Sequence, residues 1–254
     1  MGQATRYVYE PFNSQWAPAL QGELEHFSFM LQDAQPSAVV RHIGDKAFRG
    51  QVGSKQFLRA LYRGYWRSTF GHCRQVVVKD PTAVLMVDWI EKVYGARTVY
   101  LVRHPCGFAS SIDLLAWQLD LRRLLDQREL MDNYLNPYAD ILQRCQEDPW
   151  ERLAAYWGAI HTVIASQLAQ HPGRLLCHYE SLCLNPQGEL DRLTVGLELP
   201  ALVAERRGSG SSADPGSTRR DSEAMADIWK QRLSPQQVDA VLGVVGEFDL
   251  GQLL

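Results

Sequence analysis

The sequence predicts an α/β fold in three layers, a central and mainly parallel sheet with helices on both faces. Three observations carry that expectation. Short runs rich in β-branched and aromatic residues, Val76–Val78 and Thr98–Val102, are apolar on both faces, as strands between helix layers are. Segments with helical apolar spacing separate such runs, so a right-handed βαβ unit is the economical reading. And 254 residues, 46% hydrophobic and 22% charged, suffice for one substantial core. One domain over 1–254 is expected, with a flexible Gly/Ser-rich loop at about 204–218.

In chain order, Tyr7-Val8-Tyr9 reads as a strand ending at Glu10-Pro11-Phe12-Asn13, which sets a carboxylate where open α/β sheets bind ligands. Residues 14–35 read as mostly helical, with Trp16, Leu20, Leu24, Phe27 and Leu31 at intervals of three and four. Residues 37–53 are ambiguous, broken by Gly44, Gly50 and Gly53. Phe57, Leu58, Leu61, Tyr62, Tyr65 and Trp66 mark an amphipathic helix. Its other side carries Lys55, Arg59, Arg63 and Arg67, either a steering stripe for an anion or a solvated face. Val76–Val78 ends at Lys79-Asp80-Pro81, and Leu85, Met86, Trp89, Ile90 and Val93 form a helix that Gly95 closes.

After the strand Thr98–Val102 come Arg103, Pro105 and Gly107, then a helix with Phe108, Ile112, Leu115 and Leu119 on one face. Such a helix aims its free N–H groups and the positive end of its dipole at a ligand. Arg103 adds a forked donor, and Ser111, eight positions on, falls two turns along the same side. The spacing describes an anion site, most naturally for phosphate. Equally, Arg103 caps a neighbouring helix or pairs with a carboxylate.

Residues 121–146 are helical and polar, interrupted at Asn136-Pro137, with Tyr134, Tyr138 and Asp140 available to line a pocket. Pro149 opens a long helix through Trp150, Leu153, Trp157, Ile160, Ile164 and Leu168, with His161 near its apolar face as a core residue rather than a catalytic one. Arg174–Tyr179 reads as the next strand, and Leu190, Leu193 and Leu197 mark the helix after it. Ser234-Pro235 starts a final helix packed through Val238, Val241, Leu242, Val245 and Phe248.

Net charge −3 and pI near 6.2 exclude a general nucleic-acid binder. No apolar run is long enough to span a bilayer and none reads as a signal peptide. Five cysteines without zinc spacing fit a reduced, cytoplasmic setting and give no metal site. Cys106, beside a helix start and Arg103, is either an activated thiol or a small residue at a tight turn.

Two stretches together carry a family likeness. VYLVRHPCGFASSIDL resembles the segment by which sulfotransferases hold the 3′-phosphate of their donor PAPS (3′-phosphoadenosine 5′-phosphosulfate), and VVKDP is similar to their preceding strand-end motif. The resemblance implies Arg103 and Ser111 as 3′-phosphate ligands and Lys79 on the transferring sulfuryl group. EPFN resembles a segment of bacterial members, which implies Glu10 as the base; the residues alone allow a surface carboxylate. HYESLCLNP is similar to the segment whose Tyr contacts the donor's adenine, here Tyr179, with Glu180 structural. IWKQRLS matches the tail that follows the family's basic phosphate loop, implying Arg219 and Arg220, although their spacing to Trp229 departs from the pattern.

The implied fold is the P-loop-NTPase-like sulfotransferase fold with its first strand, phosphate loop and helix missing. Those need roughly 25–30 residues, and six precede Tyr7. Arg207–Ser212 follows no strand and does not replace the loop. The expectation is a misplaced start, a fragment boundary or a real truncation. Golgi members of the family carry a membrane anchor, which this sequence does not show.

Two functions follow from different classes. One is an enzyme moving a sulfuryl group from PAPS to a hydroxyl or amine of a small-molecule or glycan acceptor, with no metal, nucleic acid or membrane partner. The other is a catalytically impaired remnant that binds nucleotide weakly or acts through protein contacts. An ATP-dependent kinase ranks last for want of a Walker A lysine.

Overall fold

A computed structural model describes residues 5–51, 75–199, 222–250 and 253. The basic stripe at 55–67, Cys73, the loop at 204–218, Arg219 and Arg220 lie outside the described residues. The chain divides into two compact units, Met1–Ala96 and Arg97–Leu254. No helix among the described residues is long and apolar enough to cross a membrane.

In the first unit, β1 (Thr5–Tyr9) pairs in parallel with β2 (Gln75–Lys79), with Val8 opposite Val78 and Tyr9 opposite Lys79. α1 (Ala38–Phe48) starts at Ser37, whose hydroxyl caps the Val40 N–H, a local signal that the glycines of this stretch obscured. α2 (Val87–Tyr94) follows a 3-10 turn over Pro81–Met86 and closes at Gly95, whose φ of 61° is left-handed. Phe12, Leu20, Leu24, Val40, Met86 and Trp89 make the core, with Phe12 edge-on to Trp89.

The helix expected over 14–35 is absent and only a 3-10 turn, Pro18–Leu20, forms. Pro18 takes a first-turn position, and Gly22 and Phe27 have φ of 78° and 61°, which no continuous helix accommodates. The apolar spacing there instead drives Leu20 and Leu24 into the core.

In the second unit, β3 (Val99–Val102) pairs in parallel with β4 (Leu175–His178), Val102 opposite His178. Parallel pairing is as expected. The described strands form two two-stranded sheets, β2 bonding to β1 and β3 to β4. Of the strand residues read as covered on both faces, Val77 is 43% and Leu101 57% exposed.

α3 (Pro105–Leu114) stops where Ala116 turns to a φ of 52°, so Leu115 lies past its end, exposed. α3 buries Pro105, Cys106, Gly107, Ala109, Ser110 and Ile112, so of the expected face Ile112 is buried while Phe108 and Leu115 are not. Short helices fill Arg122–Leu125, Arg128–Leu130 and Ala139–Arg144, interrupted by a 3-10 turn at Asn136–Tyr138 where the sequence places the break. α4 (Pro149–Gln170) begins at Asp148, which accepts from the Trp150 and Glu151 N–H groups, and Pro149 at N1. It buries Leu153, Trp157, Ile160, Val163 and Ile164. α5 (Tyr179–Leu184) and α6 (Pro186–Gly196) follow β4. α7 (Ser222–Ala226), α8 (Trp229–Arg232) and α9 (Pro235–Val245) end the order, α9 opening with a Ser234/Gln237 capping box. Val241, Val245 and Phe248 of the expected α9 face are buried, whereas Leu242 is not.

Candidate functional site

The strand ends of the first unit bring Glu10 and Lys79 together. Register sets Tyr9 beside Lys79, and the Glu10 N–H continues the ladder to the Lys79 carbonyl at 2.7 Å. Glu10 then turns to a φ of 44°, a conformation that costs a non-glycine residue about 1–3 kcal/mol unless its surroundings hold it. Three donors do. Lys79 Nζ meets Oε1 at 2.5 Å, and Asn13 Nδ2 and Trp16 Nε1 meet Oε2 at 2.9 and 3.1 Å.

Glu10 is therefore not a surface carboxylate: it is 6% exposed. Burial alone would raise its pKa, but the Lys79 ammonium, with hydrogen bonds from Tyr9 and Asn13, holds it below the usual range, so it is ionised at neutral pH. Lys79 is 46% exposed and lies 4.8 Å over the Tyr9 ring, so the pair opens to solvent on the lysine's side. Asp80, next in line, is structural. It accepts from the Phe12 N–H at 2.7 Å and from the Thr82 N–H and hydroxyl, tying the two post-strand turns together. Burial, reinforced by the charge on Glu10, outweighs those bonds and pushes its pKa up to about 6.

In the second unit the strand end of β3 presents Arg103 to the first turns of α3. Its Nη1 donates to Ser111 Oγ at 2.6 Å, so the eight-residue spacing does place both on one side. The guanidinium lies 4.5 Å over the Tyr179 ring, at the head of α5, and its backbone carbonyl accepts from Trp157 Nε1 at 3.0 Å. Among the described residues Nε and Nη2, both buried, have no hydrogen-bond partner, nor does the neighbouring Ser110 hydroxyl. Among the described residues no carboxylate pairs with Arg103, so neither alternative of capping or ion pairing is found there. Gly107 makes the close approach possible: a Cβ there would stand 3.0 Å from Arg103 Nε.

The helix start itself offers less than expected. Pro105 has no N–H, and the Cys106 N–H donates to His104 Nδ1 at 3.2 Å. His104 is held as that acceptor. Burial lowers its pKa, with Lys230 adding to this, against the opposing charges of Glu180 and Asp227. Its ring stacks on Trp229 at 4.5 Å and 6°, and its backbone N–H donates to Glu180 Oε1 at 3.0 Å, the structural role expected of Glu180. Cys106 is fully buried and burial pushes its thiol up to about 11, so it is the tight-turn residue and not an activated nucleophile. His161, stacked on Trp157 at 3.7 Å, is the core histidine expected.

Of the seven residues singled out from sequence, Glu10 and Lys79 meet in the first unit, and Arg103, Ser111 and Tyr179 in the second. Arg219 and Arg220 lie outside the described residues. Sequence reasoning did not assign roles to Asn13, Trp16, His104 or Gly107. Asn13 stood within the EPFN segment and Gly107 within the helix start, but their roles rest on contacts rather than on spacing.

No protein-family model matches the chain, and no curated protein does. Among solved structures the chain is similar to a sulfotransferase domain from the curacin biosynthetic pathway, at 15% sequence identity and a TM-score of 0.44, covering 98% of this chain and 99% of that one. A likeness of that degree leaves function to be read from the chain's own residues.

Proposed function

We propose that this chain is a PAPS-dependent sulfotransferase acting on a hydroxyl or amine of a small-molecule or glycan acceptor. The observation that carries the reading is Arg103. A guanidinium with two buried donors unpaired, a third on Ser111 and no described carboxylate beside it is costly to fold unless an anion completes it. The 3′-phosphate of the donor has the charge and the several acceptor oxygens that Arg103 and the Ser111 hydroxyl lack. Gly107 keeps the approach to Arg103 clear, and the Tyr179 ring backs the guanidinium; contact with adenine falls to its remaining edge.

PAPS supplies an activated sulfuryl group and needs no covalent intermediate. The acceptor oxygen or nitrogen forms its bond to sulfur as the bond from sulfur to the 5′-phosphate oxygen breaks. That bond's electron pair departs with adenosine 3′,5′-bisphosphate. Lys79 places positive charge where the sulfuryl and leaving oxygens gain negative charge, and Glu10, ionised at neutral pH, takes the acceptor's proton.

The test is differential thermal stabilisation. Adenosine 3′,5′-bisphosphate raises the melting temperature and adenosine 5′-phosphate does not, and Arg103→Ala abolishes the difference. Equal shifts from the two nucleotides, or a variant that still discriminates, would remove Arg103 from the nucleotide site.

A further inference from the structure

The two oxygens of Glu10 are not equivalent. Oε2 accepts two N–H donors, Asn13 Nδ2 at 2.9 Å and Trp16 Nε1 at 3.1 Å, whereas Oε1 accepts the Lys79 ammonium at 2.5 Å. The Asn13 amide cannot be turned round. The Gln15 N–H donates to its Oδ1 at 3.0 Å, and a backbone N–H has nothing to accept with, so the amide nitrogen must face Glu10. The same Oδ1 lies 3.1 Å from His26 Nε2, which is therefore the protonated ring nitrogen. Asn13 is itself buried, so water does not compete for these bonds.

We propose that Asn13 and Trp16 are positioning residues that saturate Oε2 and direct any proton taken up by Glu10 onto Oε1, where its arrival breaks the ion pair and frees Lys79. A proton on Oε2 would set an O–H against two N–H donors, which that oxygen does not tolerate when buried. On Oε1 it meets the ammonium, which can turn to solvent because Lys79 is 46% exposed. The carboxyl then keeps both Oε2 bonds and does not move, while Lys79 loses its anionic partner. The consequence rests on the reading of Glu10 as base. The acceptor's O–H or N–H bond breaks, its proton goes to Oε1, and the Lys79 charge is released as negative charge develops on the leaving oxygen.

The experiment titrates the Glu10 side-chain carbon by NMR in the full chain labelled at glutamate, with Glu10→Gln to assign the signal. The comparison sets the unaltered protein beside Asn13→Leu and Trp16→Phe. Removing either donor destabilises the carboxylate, so the midpoint rises by about one pH unit in each variant. Trp16→Phe keeps the aromatic packing and decides the matter if Asn13→Leu does not fold. Lost thermal stability with an unmoved midpoint would make these residues structural only and overturn the proposal. Sulfuryl transfer from PAPS is the second arm. In both variants kcat falls about tenfold with the donor KM unchanged, whereas equal effects on both would overturn the proposal. If the unaltered protein transfers nothing, the proposed activity fails and the midpoints still decide whether Oε2 is held.

Discussion

Gly107 shows at the scale of one residue how the Arg103 site is made. A Cβ at this position would lie 3.0 Å from Arg103 Nε, 3.4 Å from its Cγ and 3.5 Å from Trp229 Cδ1. Contacts that tight oblige the guanidinium to give by a few tenths of an ångström, and Arg103 is already held from below by Tyr179 and from the side by Ser111. Alanine is also the better helix former by about 1 kcal/mol. Gly107→Ala therefore leaves the free protein as stable as before or slightly more so. The extra stabilisation by adenosine 3′,5′-bisphosphate over adenosine 5′-phosphate falls. Thermal melts with the two nucleotides measure both effects at once, and an undiminished difference would mean that Arg103 does not hold the phosphate.

The same substitution has the opposite sign at Gly44, and the reason lies in how one element meets another. Within α1 this glycine faces α2, and an added Cβ would stand 2.3 Å from the Tyr94 hydroxyl oxygen and 2.9 Å from its Cζ. Tyr94 is stacked on Phe48 at 4.3 Å and edge-on to Trp89 at 5.6 Å, so it cannot swing aside without losing both. Overpacking of this kind costs about 1–3 kcal/mol, more than the helix preference of alanine returns. Gly44→Ala is expected to lower stability by about 1 kcal/mol in a urea titration, an overpacking cost of about 2 less the roughly 1 that the helix preference returns. Unchanged stability would show that α1 and α2 are not held this closely. A reader of the sequence takes Gly44 for a helix breaker because nothing local reveals the tyrosine it accommodates.

For the molecule as a whole, acid acts through its buried titratable groups. Burial pushes His161 down to about 4, against the pull of its bond to the Trp157 carbonyl. The unfolded chain thus binds more protons than the folded one between pH 4 and about 6.5, the ordinary histidine value. Stability from this residue is complete above about 6.5 and is lost as pH falls through that window, by about 3 kcal/mol in full. Asp80 works the other way. Burial raises it to about 6, so the folded chain holds its proton longer and gains stability as pH falls from about 6 to 3.8. Denaturant unfolding at a series of pH values is expected to show His161→Gln losing less stability than the unaltered protein between pH 6.5 and 4. The same loss in both would mean that His161 is charged in the folded protein.

By itself the sequence determined the features that depend on neighbours a few positions apart. Gly95 and the Ser234-Pro235 pair end and begin helices because caps are local, and Arg103 reaches Ser111 because eight residues make two turns. It misread residues 14–35, where the apolar spacing of a helix served a turn-rich segment bent at Pro18, Gly22 and Phe27. Only the tertiary structure decided that β2 pairs with β1 and β3 with β4, and that Tyr179 lies under Arg103. It alone paired Glu10 with Lys79, 69 residues away, and gave that carboxylate two further donors on its second oxygen. Such contacts join residues remote along the chain, and they follow from which surfaces pack and which buried charges must be satisfied, quantities that no local periodicity encodes.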